Sequence, residues 1–310
     1  MQISTNYLFD RASAQMSQLQ NDLAKSQAQI AAQKQVLHPS DAPDQAAAIT
    51  RLKSVISRND GYGKALDTIQ ARLDTESTTL SSASDVLIRI KELAIQANNG
   101  TQGSTSRAAI ATEMKGLRDQ LLSLANSTDT TGNYLFSGSK VKTPAFATDA
   151  AGEVSYQGDQ THMQVAVGDQ RTIAINRSGT TAFVRVVRTA SDGTTSGTGF
   201  FQAINDLIAG VNAKDGSGSA AMQRGLTEMD ALHQGVVLAQ AQSGTDMKVI
   251  DQQRAVLDDT KLSLKTALSN VEDLDMATAI TQMQKQMLSL EAAQASFAKV
   301  SQLTLFNYIK

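Results

Sequence analysis

Cysteine is absent from this 310-residue chain, which excludes disulfide bonds, thiolate catalysis and cysteine–zinc sites. Tryptophan is absent too, and aromatic residues make up only 4% of the sequence. Hydrophobic residues nevertheless reach 41%, so an apolar interior has to be built mainly from Ala, Leu, Ile, Val and Met. Such residues suit the contact lines between long helices better than the bulky core of a globular enzyme.

Long apolar runs and an excess of positive charge are also missing. The formal net charge is -2, so the chain has no basic field to hold nucleic acid or an acidic membrane surface. No stretch approaches the roughly 18 apolar residues that a membrane-spanning helix needs. Residues 1–20 lack the cationic segment and apolar core of a Sec-type signal peptide, so an exported protein of this kind has to use another route.

A seven-residue repeat dominates residues 45–97. Two mostly apolar positions recur in each heptad, which is typical of a long helix with one narrow apolar seam. The two sets are Leu52, Asn59, Leu66, Leu73, Leu80, Leu87 and Ala94, and Ala48, Val55, Tyr62, Ile69, Glu76, Ala83, Ile90 and Ala97. Gly61 and Gly63 each cost about 1 kcal/mol against alanine in a helix. Because the repeat passes through them without a shift, we predict one continuous helix, about 80 Å long.

The two ends of the chain carry a thinner seam. A first helix is predicted over residues 2–37, before the segment 38–44 with its two prolines, and a last helix follows a register change near Glu272. Their apolar positions are Phe9, Met16, Leu23, Ile30 and Leu37, and Ile280, Met283, Met287, Leu290, Ala293, Phe297, Val300 and Leu303. Helices with so thin a seam are marginal alone in water. We therefore expect the first helix to pair with the last, and both to contact other subunits.

The strong heptad pattern returns over residues 222–271, and the composition changes between the two rods. Short β-rich runs separated by Gly and Asp turn signals predict a small antiparallel β domain at 134–190. The predicted strands are Tyr134–Phe136, Val154–Tyr156, Met163–Val167, Thr172–Ile175 and Ala182–Val187. A Gly/Ser/Thr linker is predicted at 191–199. A short amphipathic helix follows it.

These elements predict a mainly α protein with an inserted β domain. The N- and C-terminal segments form a long antiparallel coiled-coil or helical-bundle rod, with the small antiparallel β domain at the far end. Three domains are predicted: a terminal coiled-coil domain of 1–42 plus 272–310, a helical rod domain of 43–135 plus 200–271, and a β-rich inserted domain of 136–199. Because the chain leaves and re-enters the rod at neighbouring points, we expect that the insert can be deleted without disturbing the heptads.

Catalytic and metal-binding interpretations find little support. The three histidines, which lack the spacing of metal ligands, are His38, His162 and His233. Asp273 and Asp275 fit a solvated face better than a carboxylate pair, because residues two apart on a helix point to different sides. Residues 126–128 match a glycosylation sequon, a pattern too common to be informative alone. The sequence therefore predicts no enzyme, no cofactor and no metal site.

Several sequence blocks resemble the flagellin superfamily. Residues 1–5, Met-Gln-Ile-Ser-Thr, and 38–43, His-Pro-Ser-Asp-Ala-Pro, are similar to its start and to the loop after its first helix. Residues 134–140, Tyr-Leu-Phe-Ser-Gly-Ser-Lys, with Tyr-Gln-Gly-Asp at 156–159, resemble the beginning of the β domain in its hook-filament junction family. The segment 301–309, Ser-Gln-Leu-Thr-Leu-Phe-Asn-Tyr-Ile, is similar to the C-terminus of that family.

The resemblance implies a structural component of the bacterial flagellum, located outside the cell and exported by the flagellar type III route without a cleaved signal peptide. A hook-associated protein of this family joins the hook to the flagellin filament as a mechanical adaptor. The implied partners are the first hook-associated junction protein, flagellin, further copies of the chain in a helical tier, and a cytosolic export chaperone, with no nucleic acid and no membrane insertion. The alternative is a secreted needle-tip or adhesin-like coiled-coil protein, which would share the rods and the insert but not both terminal motifs.

The functional surface predicted for this chain is the pair of terminal seams, since their apolar positions are too few for an independent domain. We expect these seams to form the assembly interface, and the resemblance implies that the chaperone binds there too. The predicted interface residues are Phe9, Met16, Leu23, Ile30, Met287, Leu290, Phe297, Val300, Leu303 and Phe306.

Overall fold

The computed structural model describes residues 2–100, 102–150, 152–189, 194–213 and 217–306. Within these ranges there are seven helices and six short strands. The helices are α1 (Gln2–Ala32), α2 (Pro43–Ala97), α3 (Ser104–Ala125), α4 (Gly179–Ala182), α5 (Phe200–Asn212), α6 (Ser217–Glu272) and α7 (Met276–Phe306). The strands are β1 (Phe146–Thr148), β2 (Val154–Tyr156), β3 (Gln164–Gly168), β4 (Arg171–Ala174), β5 (Val186–Thr189) and β6 (Thr195–Thr198).

The chain divides into two compact units. Unit 1 combines Met1–Asn59 with Asp258–Lys310, and unit 2 is Asp60–Leu257. The predicted division into three domains is a different partition, and it stays a prediction. No helix in the described ranges is both long enough and apolar enough to cross a membrane.

The predicted mainly α fold with an inserted β region is confirmed. Helices α2 and α6 are the two long rods, with 55 and 56 residues. α2 continues without a break through Gly61 and Gly63, as the uninterrupted heptads predicted. A Cβ atom added at either glycine would meet open space, so packing does not require glycine at these positions.

Unit 2 has a large apolar core, built from the seams of the two rods together with α3 and α5. The rods run antiparallel there, since Asp67 and Lys91 of α2 pair with Arg254 and Asp230 of α6. Leu80, Leu87 and Ile90 of α2 are fully buried, as the heptad pattern predicted. α5 buries its apolar face in the same core, so the predicted amphipathic helix is confirmed. These contacts give unit 2 an apolar interior of its own.

The inserted segment forms three separate two-stranded antiparallel sheets, β1–β2, β3–β4 and β5–β6. Their side chains pack against the helices. Val167 of β3 lies in one cluster with Leu66 and Ile250, and Phe146 of β1 lies in the main core. The insert therefore shares its apolar interior with the rods of unit 2.

Three sequence predictions in this region were wrong. Tyr134–Phe136 is not a strand: Tyr134 forms one isolated bridge with Thr128, and the two residues after it bend. The guanidinium of Arg72 donates to the carbonyl oxygens of Tyr134 and Leu135, so these groups bond to a side chain in place of a neighbouring strand. In Ala182–Val187, the first residue closes α4 and strand β5 begins at Val186. Within the predicted linker 191–199, the described part contains strand β6, which pairs with β5. Backbone pairing with a neighbouring strand outweighs the low strand propensity of Gly and Ser there.

Unit 1 contains the paired terminal helices. α1 and α7 pack along each other, and the rings of Phe9 and Phe297 meet edge to face with 5.2 Å between centroids. At the other end, Lys34 and Asp273 form an antiparallel bridge. The predicted pairing of the first helix with the last is therefore confirmed. α1 ends at Ala32 and not near residue 37, because Gln33 takes a left-handed conformation with φ of 56° and turns the chain toward this bridge.

Candidate assembly surface

The predicted interface residues lie on α1 and α7, which pack against each other. Within the described ranges, no apolar side chain of unit 1 is buried, and the buried apolar residues belong to unit 2. Six of the predicted residues are half-buried, namely Phe9, Met16, Leu23, Ile30, Leu290 and Phe297. Met287 is more open, with 42% of its surface exposed. The paired helices thus leave their apolar side chains partly in water.

The remaining three predicted residues are Val300, Leu303 and Phe306. Their backbone belongs to α7, but their side chains lie outside the described residues.

Sequence reasoning missed one exposed residue: Leu288 of α7 has 68% of its surface in contact with solvent. The heptad count passed over it because it sits beside the seam position Met287. Its exposure is seen only in the structure, because the sequence does not show which apolar residue beside a seam is left uncovered.

In unit 1, two lysines form ion pairs with a glutamate at the C-terminal end of α6. The ammonium groups of Lys34 and Lys53 both lie 2.8 Å from the same oxygen, Oε1 of Glu272. The residue Glu272 is buried. Hydrogen bonds from Lys34 and then Lys53 lower the pKa of Glu272 below its usual value. The backbone N–H of Gln35 also donates to the Glu272 carbonyl oxygen at 2.9 Å. The loop after α1 is therefore bound to the end of α6.

Asp273 and Asp275 do not form a carboxylate pair. Asp275 caps α7, because its Oδ1 accepts hydrogen bonds from the backbone N–H groups of Ala277 and Thr278. The hydroxyl of Thr278 is the main cause that lowers the pKa of Asp275. Asp273 instead accepts a hydrogen bond of 2.5 Å from the hydroxyl of Ser269. Both carboxylates therefore have structural roles at the ends of helices.

The two motifs in the insert that carry the family resemblance fold onto each other in unit 2. Asp159 accepts hydrogen bonds from the hydroxyl and the backbone N–H of Ser139, at 2.5 and 2.8 Å, and these lower its pKa to about 2. The hydroxyl of Tyr156 donates to carbonyl oxygens of Phe136 and Asp159. Gly138 has φ of 70°, and a side chain there would collide with Asp159. The motif residues thus fix the backbone conformation at the beginning of the insert through these hydrogen bonds.

Other residues singled out in the sequence also have structural partners. His233 shares a hydrogen bond of 2.9 Å with Ser84, and His162 contacts the carbonyl oxygen of Asn176. Asn126 of the sequon exchanges two hydrogen bonds with the backbone of Phe146, so a glycan on its amide would break this link. Within the described ranges, no group of His, Asp and Glu side chains is arranged to hold a metal ion.

The described part of the chain thus combines paired terminal helices, two long antiparallel rods and an insert of short sheets. Residues 3–141 match the bacterial flagellin N-terminal helical region. The chain is 26% identical to flagellar hook-associated protein 3 of Salmonella typhimurium over 317 residues, 99% of each chain. It is also 26% identical to flagellar hook-associated protein 3 of Escherichia coli over the whole of both chains.

A solved structure from the same group of proteins is similar to this chain as well. The crystal structure of FlgL from Xanthomonas campestris superimposes with a TM-score of 0.62 and 25% identity, covering 71% of this chain and 99% of that one. The resemblance predicted from the sequence is confirmed: the chain is similar to the flagellin superfamily and, within it, to flagellar hook-associated protein 3.

Proposed function

We propose that this protein is a structural component of the bacterial flagellum that joins the hook to the flagellin filament as a mechanical adaptor. End-to-end similarity to flagellar hook-associated protein 3 supports the proposal. The structural observation that carries it is the contrast between the units: the described part of unit 1 buries no apolar side chain, whereas unit 2 has a full core. Neighbouring subunits would supply the burial that unit 1 lacks.

The energetics favour assembly through the terminal helices. Each Å² of apolar surface removed from water contributes about 25 cal/mol. The described seam residues of α1 and α7 are half-buried or exposed in the single chain. Covering them in a tier of identical copies therefore stabilises the tier without any new chemistry. The hook side and the filament side of such a tier contact the first hook-associated junction protein and flagellin.

Export and chaperone binding belong to the same proposal. The protein leaves the cell by the flagellar type III route, and a cytosolic chaperone covers the seam of α7 before export. The exposed Met287 and Leu288 support this idea, because a free apolar strip of this kind favours aggregation in the cytosol. Binding of the chaperone to α7 and assembly through α7 are then mutually exclusive.

Electron microscopy of flagella from a strain that lacks the gene tests the proposal. We expect bare hooks on the cells and flagellin released into the medium. A plasmid copy of the gene should restore attached filaments. Filaments that remain attached to hooks in the deletion strain would refute the adaptor function.

A further inference from the structure

A groove of about 750 Å³ runs along the first turns of α2 in unit 1. Pro39, from the loop before the helix, lines it together with the apolar side chains of Pro43, Ala47 and Val55. Arg51 and Arg58 bring positive charge to the same groove. Its chemistry therefore suits a helix that presents aliphatic side chains next to a carboxylate.

A ridge with this chemistry lies on α7, also in unit 1. Ile280, Met287, Leu288 and Glu291 are spaced by seven, eight and eleven residues from the first, which puts them on one face of a helix. The three apolar members are 39%, 42% and 68% exposed, and Glu291 is exposed as well. Phe297 points to another side of α7, where it contacts Phe9. Pairing with α1 therefore leaves this ridge at the surface.

The charges of the groove and the ridge are complementary. The side chains of Arg51 and Glu291 form no hydrogen bond or ion pair with any residue in the described ranges. We infer that the groove of one copy receives the ridge of a second copy of this chain, with Leu288 against the apolar lining and Glu291 beside Arg51. This inference rests on the proposed function, in which copies of the chain form a tier.

The contact is of the head-to-tail kind, because the groove and the ridge are different surfaces of one chain. Each copy can offer its ridge to one neighbour and its groove to another. A repeated contact between unlike surfaces generates a closed ring or an open helical array. An isologous pairing would instead stop at a dimer. This geometry supplies the repeated contact that a tier of identical subunits requires.

Site-directed crosslinking tests the contact in intact flagella, and the absence of native cysteine makes it specific. Two distinguishable full-length copies, one carrying Ala47→Cys and the other Leu288→Cys, are produced together in a strain without the native gene. Mild oxidation of isolated flagella should then yield a disulfide-linked mixed dimer. The matched control replaces Leu288→Cys with Lys285→Cys, an exposed position outside the ridge on the same helix, and should lose the dimer.

Charge reversal provides an independent test. Arg51→Glu and Glu291→Arg should each cause loss of attached filaments, because like charges then meet in every subunit contact. The double variant should restore the filaments, whereas the control Lys285→Glu should leave them unchanged. Equal melting temperatures of the purified variants would show that each chain still folds.

The outcomes separate this inference from the proposed function. If the protein is present in flagella, but the mixed dimer is absent and both single charge variants keep their filaments, the groove contact is refuted and the adaptor function stands. If cells without the protein retain their filaments, the adaptor function fails and the inference fails with it. A mixed dimer together with charge-swap rescue would establish the contact.

Discussion

Ser243 of α6 donates a hydrogen bond to Glu76 of α2 across the two rods, with 2.6 Å between the oxygen atoms, and both side chains are almost completely buried. These residues are polar exceptions in two otherwise mostly apolar heptad series. Arg177, from the segment after β4, donates to the same Oε1 of Glu76 at 2.7 Å and to Asp246 at 3.0 Å. A buried polar pair at a seam position matches only one alignment of two helices, so this contact selects the register of the rods.

Replacing Arg177 with methionine should lower the free energy of unfolding by about 3–5 kcal/mol, since Glu76 would remain buried without its cation. Urea unfolding followed by circular dichroism measures the change. The control is Arg254→Met, which breaks an exposed ion pair with Asp67 and should cost no more than about 1 kcal/mol. Equal losses in the two variants would contradict the role of Arg177.

Deleting residues 140–200 should destabilise unit 2 strongly, contrary to the expectation drawn from the sequence. The deletion removes Phe146 and Phe183 from the main core, and a single buried Phe truncated to Ala typically costs about 3–5 kcal/mol. It also removes Arg177 from Glu76. Thermal unfolding of the purified chain checks this result. A deletion variant that melts at the wild-type temperature would show that the rods keep their register without the insert.

Replacing Gly61 or Gly63 with alanine should stabilise α2 by about 1 kcal/mol each, because the added Cβ meets open space. The matched control is Gly225→Ala in α6, whose Cβ would lie 2.7 Å from Cδ1 of Leu207 and should destabilise the protein. Denaturant unfolding measures both effects. A loss of stability at Gly61 would mean that the helix needs glycine there for a reason other than packing.

The stability contributed by Asp159 should disappear at low pH. Its pKa is about 2 in the folded chain against 3.8 for the free group, so the carboxylate contributes fully above about pH 4 and loses its contribution as the pH falls towards about 2. The stability difference between the wild type and Asp159→Asn should therefore shrink over this range. Ser139→Ala, which removes a donor to Asp159, should reduce the same pH dependence. A difference that stays constant with pH would refute this assignment.

Replacing Phe297 with aspartate should abolish filament attachment and leave the thermal unfolding of unit 2 unchanged. Phe297 belongs to unit 1 and is only half-buried, against Phe9. A charge at this position is costly in a dry subunit interface. The control Phe183→Asp, in the core of unit 2, should melt the monomer. A large fall in the melting temperature of Phe297→Asp would show that Phe297 is an internal core residue.

The helices were predictable because their signal is local and periodic. Leu66, Leu80 and Ile90 are buried where the heptads placed them. Leu52 and Val55 follow the same repeat but are only half-buried, because a repeat identifies an apolar face and not what covers it. The short strands were harder to predict, since each depends on a partner strand and on side chains distant in sequence. Arg72 is one such side chain, because it donates a hydrogen bond to the carbonyl oxygen of Tyr134 in a segment predicted to be a strand.

For the candidate site, the sequence predicted the pairing of the first helix with the last, in which Phe9 contacts Phe297. The role of the two seams as an assembly surface stays a prediction. The groove beside Arg51 was not predicted, because it depends on the path of the loop after α1, which Gln33 turns with a left-handed backbone. A pattern of apolar residues contains no information on that path. The pairing of Glu76 with Ser243 was not predicted either. Each of them, taken alone, is a polar residue at a position of the repeat that is otherwise mostly apolar.

The pairing of α1 with α7 also determines the order in which the two units can fold during synthesis. Unit 2 is one uninterrupted stretch, Asp60–Leu257, and can complete its core before the later residues are made. Unit 1 cannot do so, because α1 is synthesised before unit 2 and its partner α7 only after it. Contacts between segments so distant in sequence form slowly. A chain cut short before α7 would therefore fold the core of unit 2 and lack the paired terminal helices, so the topology of the chain makes this pair a mark of a chain translated through α7.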